Sequence, residues 1–154
     1  MDEGRTVDGS SLRDLLDRSA VTDQLGRAAR LLDGKRWSEL ASVFAEDVVF
    51  DYGDGSGLQH GLPRLRTTFA RHLDRCGATQ HLLGSIIVTV DGDRATSEAY
   101  VQARHAGLGD LASDVFDTNG EYVDTWARRE GRWLIVERRV GWLTLSGNPA
   151  VLGL

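Results

Sequence analysis

The stretch Ala78-Thr79-Gln80-His81-Leu82-Leu83-Gly84-Ser85-Ile86-Ile87-Val88-Thr89-Val90 decides the fold. Its second half is β-branched throughout, which suits a pleated, packed surface better than a helix. Asp91-Gly92-Asp93 supplies a turn, and Arg94 to His105 reads as the returning strand of a hairpin. His81 is the one side chain in the first strand that can change charge near neutral pH, which makes it a candidate acid or base.

The returning strand alternates cleanly. Ala95, Ser97, Ala99, Val101, Ala103 and His105 share one face, and Thr96, Glu98, Tyr100, Gln102 and Arg104 share the other. The small, apolar face is the expected inner wall, so His105 should point inward. Ala106 to Thr118 is expected to be a loop. A third long strand is expected over 120–129 and a fourth over 132–145, joined by a turn at Glu130-Gly131.

Upstream, apolar residues recur at helical spacing from Leu12 to Leu32, with Ser11 as the expected cap and a break expected at Asp17-Arg18-Ser19. Gly34 is the expected stop. Trp37 to Phe44 is expected to form a second short helix, and Val48 to Tyr52 a short strand. A third helix should open at Leu62 or Pro63 and end near Cys76-Gly77. Asp33 lies at the C-terminal end of the first helix. There a carboxylate opposes the negative end of the helix dipole, so it needs either compensation or water.

Helices followed by a four-strand meander indicate an α+β domain: a curved, mostly antiparallel sheet packed around helices and enclosing one pocket. The expected layout is a flexible tail over 1–10, one domain over 11–145 and an irregular C-terminal tail over 146–154. The 154 residues suffice for one core. The net charge of -5, without a basic run, argues against nucleic acid. A single cysteine excludes a disulfide framework. No apolar run approaches the roughly 20 residues that span a bilayer. A cytoplasmic protein with no membrane partner is therefore the expectation.

Four stretches carry a family resemblance. They are Arg27 to Trp37, Phe44 to Tyr52, Thr79 to Gly84, and Gly120 to Asp124 followed by Gly131 to Ile135. Together they resemble the SnoaL-like branch of the nuclear transport factor 2-like superfamily, and within it the scytalone dehydratase-like proteins. The resemblance implies a cone-shaped fold, acid–base chemistry without cofactor or metal, and a homodimer. By this resemblance Asp33 matches a catalytic aspartate and His81 the histidine of a Thr-Gln-His run. His105 falls where the aspartate-paired histidine sits. Tyr52 matches a tyrosine that binds a substrate oxygen through water. Arg139, or its neighbour Arg138, takes the place of an arginine on the last strand. Tyr122 and Trp142 complete the expected substrate contacts. Trp126, Trp133 and Trp142 are the expected aromatic surface of the dimer.

The sequence also departs from that pattern. Leu32 replaces the tyrosine that precedes the aspartate, and the polar pair on the third meander strand has no visible counterpart. The implied function is a dehydratase, isomerase or cyclase acting on a small apolar cyclic or polyketide-like substrate. Epoxide hydrolysis in the same pocket, and a non-catalytic binding or assembly module, are the alternatives. His60 and His72 read as loop and helix-surface residues.

Overall fold

A computed structural model describes residues 9–154. Helix α1 runs without interruption over Gly9–Asp33, so the break expected at Asp17 to Ser19 does not form. Asp17 is instead held in place from the sheet: Arg128 Nη2 donates to its Oδ2 at 2.6 Å, and Trp133 Nε1 donates to its Oδ1 at 3.2 Å. Gly9 and Ser10, expected in the tail, belong to α1. The tail expected over residues 1–8 lies outside the described residues.

Trp37–Ser42 forms a 3-10 turn, and the chain is already extended at Phe44. Strand β1 (Phe44–Asp51) therefore starts four residues earlier than the sequence pattern suggested. Strand β2 (Gln59–His60) is a short antiparallel edge on it. Helix α2 (Leu62–Leu73) carries its proline in the first turn and buries Leu62, Leu65, Phe69 and Leu73. Then come β3 (Thr79–Asp91), β4 (Arg94–Ala106), β5 (Val115–Arg129) and β6 (Arg132–Gly147). β5 extends four residues into the expected loop, because its ladder with β4 continues to Ala106 opposite Val115.

The six strands make one curved, unclosed sheet in the order β2-β1-β6-β5-β4-β3. All pairs are antiparallel except β1 with β6. The expected mostly antiparallel α+β cone is thus the observed fold. α1 lays Val21, Leu25, Ala28 and Leu32 on a core that also holds Phe44, Phe50, Trp126 and Ile135. β4 buries the alternating face that its pattern indicated, His105 included.

Two expectations about the sheet are corrected. Trp126 and Trp133 are core residues, 0% and 3% exposed, not an outer aromatic surface. Their indole N–H groups find internal acceptors, Ser97 Oγ and Asp17 Oδ1. The C-terminal tail is not loose either. It ends β6 and then makes a 3-10 turn over Pro149–Leu152, capped by Asn148, that buries Val151 and Leu152. Among the described residues, no helix is long and apolar enough to cross a membrane.

The cone's deepest charge is Arg138, 0% exposed. Its Nε and Nη2 donate to the two oxygens of Asp124, each at 2.7 Å, and its guanidinium lies 4.2 Å over the Tyr122 ring. Two buried ions hold each other at good geometry, but either one alone would be stranded. Replacing Arg138 by Met should therefore lower the unfolding free energy by about 3–5 kcal/mol. The double change Arg138→Met with Asp124→Leu should recover most of it; urea denaturation checks both.

Candidate active site

Asp33 closes α1, and the chain turns sharply behind it, with Lys35 in the left-handed region at φ 52°. That turn brings the carboxylate to the first residues of β3. Thr79 Oγ1 donates to Oδ1 at 3.2 Å. The backbone N–H of His81 donates to Oδ2 at 3.0 Å. His81 Nδ1 donates to Oδ1 at 2.6 Å. Three donors supply the compensation that a carboxylate at a helix C-terminus needs. Burial pushes the Asp33 carboxyl upward, but the side-chain and backbone bonds from His81, its charge and Thr79 outweigh it, and the net shift is downward. Asp33 is therefore an anion near neutral pH. An anionic acceptor fixes the proton of neutral His81 on Nδ1 and leaves the lone pair on Nε2.

His81 is one wall residue of a pocket of about 300 Å³. That is the lower end of the usual range for small-ligand sites. Leu32, Phe69, Leu73, Phe116 and Leu152 make most of its wall apolar. His105 enters from β4 with its ring centroid 5.7 Å from that of His81 and nearly perpendicular to it. Its Nδ1 donates to the Phe116 carbonyl at 2.9 Å. Burial holds its pKa below the ordinary histidine value, and the charge of His81 acts in the same sense against the Phe116 bond. His105 is thus a neutral imidazole with an accepting Nε2.

Tyr52, Tyr122 and Trp142 line the pocket as expected. The Tyr52 hydroxyl is buried without a hydrogen-bond partner among the described residues. Burial raises its pKa to about 12, with the Arg138 guanidinium opposing. Burial also raises the pKa of Tyr122, so both phenols remain protonated. Trp142 Nε1 donates to the Tyr52 carbonyl at 2.8 Å, which leaves its ring as the ligand-facing part. The ring lies against Gly120, where a Cβ would sit 2.9 Å from an indole carbon and 2.3 Å from the Gly141 carbonyl oxygen. Glycine is required there by the close approach of two strands.

Asp33 and His81 are in direct contact. Two expectations fail. The aspartate-paired histidine is His81, not His105, because the turn after α1 delivers Asp33 to the start of β3. Arg139 does not line the pocket: it points outward, 57% exposed in its side chain, with Nε on Glu137 Oε1 at 2.7 Å. Its neighbour Arg138 takes the inward position, but its fork is occupied by Asp124.

Sequence reading missed two polar wall residues. Thr118 is buried, lines the pocket and has a hydroxyl without a partner among the described residues. Extending the period-two pattern of β5 back from Tyr122 reaches Gly120, Thr118 and Phe116 on one face. His72, expected on a helix surface, also lines the pocket. It stands one turn beyond Phe69 on the inner side of α2. Among the described residues, no group of three or more His, Cys, Asp or Glu is placed to hold a metal ion.

The SnoaL-like domain matches residues 13–139. The chain belongs to that family. The uncharacterized protein Rv2910c of Mycobacterium tuberculosis is 27% identical over 128 residues, 83% of this chain and 86% of that one. Among solved structures, a candidate aromatic ring hydroxylase from Novosphingobium aromaticivorans aligns with a TM-score of 0.76 at 28% identity, covering 90% of this chain and 97% of the other. A candidate scytalone dehydratase from the same organism aligns with a TM-score of 0.78 at 21% identity over 86% and 87%. The hexachlorocyclohexane dehydrochlorinase LinA-type3 of Novosphingobium barchaimii aligns with a TM-score of 0.77 at 16% identity over 89% and 93%. At those last two identities the likeness is one of fold.

The depressed pKa of His105 has a consequence for stability. The unfolded chain binds a proton at about pH 6.5 that the folded chain resists, so the contribution is present above about pH 6.5 and lost as pH falls through the folded value. Stability should drop on acidification below about pH 6.5. His105→Gln keeps a donor for the Phe116 carbonyl and should flatten that part of the slope. Thermal unfolding at stepped pH checks it.

Proposed function

We propose that this SnoaL-like protein is a cofactor-free acid–base enzyme, a lyase or isomerase of the dehydratase or cyclase type, acting on a small apolar cyclic or polyketide-like substrate. The observation that carries this reading is the 2.6 Å bond between His81 Nδ1 and Asp33 at the wall of an apolar pocket. It leaves Nε2 as an oriented base at the wall of a mostly apolar site. The structural neighbours named as a candidate scytalone dehydratase and a dehydrochlorinase agree with elimination chemistry on this fold.

His81 Nε2 would remove a proton from a carbon next to a carbonyl. The electron pair moves onto the carbonyl oxygen, and a hydroxyl donor from Tyr52, Tyr122 or Thr118 stabilises the enolate. Asp33 would stabilise the imidazolium that forms. In a dehydration, the enolate then expels a β-hydroxyl, and the imidazolium returns its proton to that leaving oxygen. A carbon–hydrogen and a carbon–oxygen bond break, one carbon–carbon double bond forms, and water leaves. His105, neutral and accepting through Nε2, would orient the hydroxyl. In an isomerisation the proton returns to carbon instead.

Water activation by Asp33, as epoxide hydrolysis would need, is disfavoured by the three donors on that carboxylate. The homodimer is proposed on other residues than the tryptophans. Leu82, Ile87, Tyr100 and Val123 are exposed on β3, β4 and β5, and mass in solution reads the outcome.

His81→Ala should lower turnover about 10²–10⁴-fold with the fold retained, the usual contribution of a general base. Asp33→Asn should also lower kcat, because an amide can present a donor to Nδ1 and so favour the Nε2–H tautomer. A screen of β-hydroxy cyclic ketones by absorbance of the conjugated product, with circular dichroism as the fold control, makes the test. Full turnover in His81→Ala would remove the base from the account.

A further inference from the structure

Helix α1 closes in a Schellman pattern with a lysine where a glycine is usual. The Arg36 N–H donates to the Leu31 carbonyl at 2.9 Å, and the Lys35 N–H to the Leu32 carbonyl at 3.0 Å. This paired closure puts the residue just past the helix cap in the left-handed region, where glycine is the common choice. Lys35 holds that place at φ 52°. A glycine stands one residue earlier, at Gly34, which is not among the left-handed residues. A residue with a Cβ is strained in that region, so the turn by itself favours glycine over lysine at position 35.

What the lysine adds is its ammonium. Nζ donates to the Cys76 carbonyl at 2.5 Å, across 41 residues of chain. That carbonyl belongs to a well-held residue. Cys76 is buried, its N–H donates to the Leu73 carbonyl at 3.1 Å, and its thiol donates to the Val151 carbonyl at 3.5 Å. The Gly77 N–H that follows donates to the Ala106 carbonyl at 2.9 Å. A Cβ at Gly77 would sit 3.0 Å from the Gly107 carbonyl oxygen, so the chain is closely packed there. The ammonium bond therefore ties the turn after α1 to the segment that feeds β3.

Asp33 joins the same two segments. Lys35 lies two residues after Asp33, and Cys76 three residues before Thr79. The three donors on Asp33 all meet at one carboxylate, which is a single point of attachment. A second attachment two residues away fixes the angle as well as the distance. The angle matters because Asp33 Oδ1 serves both Thr79 and the His81 ring, and hydrogen bonds weaken steeply when bent. A charged donor on a carbonyl is a strong tether for that purpose.

We propose that Lys35 is a positioning residue: its ammonium, held on the Cys76 carbonyl, sets the angle at which Asp33 meets His81 and so keeps the His81 proton on Nδ1. Lys35 does not line the pocket, so it acts through Asp33. This rests on the reading of His81 as an oriented base, and it names a residue on which the orientation depends.

Three variants of the full chain separate this role from that of a helix cap. Lys35→Gly removes both the ammonium and the strain. Lys35→Met removes the ammonium and keeps the strain. Lys35→Arg keeps a cationic donor. Nitrogen-15 shifts of the His81 imidazole read the tautomer of the neutral ring, and thermal unfolding reads the fold. A cap alone would make Lys35→Gly at least as good as the wild type in both measurements. The latch predicts that Lys35→Gly unfolds at a higher temperature than Lys35→Met, yet shares its defect at His81. In both, the ratio of the Nδ1–H form to the Nε2–H form should fall about tenfold, the scale of one lost hydrogen bond to a charged group. Lys35→Arg should restore most of that ratio. A wild-type ratio that survives in Lys35→Gly or Lys35→Met, or a loss in Lys35→Arg as large as theirs, would overturn the latch. A wild-type His81 without the Nδ1–H preference would strike the Asp33–His81 reading itself, and the latch with it, so the two failures are told apart.

Discussion

The site depends on one carboxylate. Asp33 stands where a helix ends with its carbonyls pointing forward, an unfavourable place for a negative charge. Three donors from the first residues of β3 reverse that balance. The same three bonds tie α1 to the sheet, close the pocket wall and fix the tautomer of His81. Asp33 itself lies behind the wall rather than in it, since the pocket is lined by Leu32 and His81 on either side of it. Its proposed role is positional: it sets which nitrogen of His81 meets a ligand.

The second constraint is the ion pair inside the cone. Arg138 and Asp124 neutralise each other where neither could stay charged alone. Their attraction leaves Arg138 Nη1 without a partner among the described residues, close to the Tyr52 and Tyr122 rings. The ion pair thus lies behind Tyr52 and Tyr122, which line the pocket. Burial keeps the two tyrosine hydroxyls protonated as donors against the pull of the Arg138 guanidinium.

Most of the architecture was legible in the sequence because it is periodic. The alternation of β4 placed His105 inward, and the β-branched run after His81 placed β3. Asp33 and His81 were legible through family resemblance, but their direct contact was not. That contact depends on the turn at Lys35, where a lysine just past the expected stop at Gly34 takes the left-handed conformation. The Arg138–Arg139 choice was open because a strand's period fixes alternation but not its phase, and the irregular register between β5 and β6 obscures even that. The tryptophans were misread for a related reason. A large aromatic on a strand fits an interface or a core equally well, and only the internal acceptors Ser97 and Asp17 decide.

The central claim is that Asp33 holds His81 as an oriented base. Nitrogen-15 chemical shifts of the His81 imidazole test it most directly. The account predicts that the neutral ring of His81 has the proton on Nδ1 and a bare Nε2, and that Asp33→Asn abolishes this preference. A wild-type His81 with the proton on Nε2, or one exchanging freely between tautomers, would contradict it.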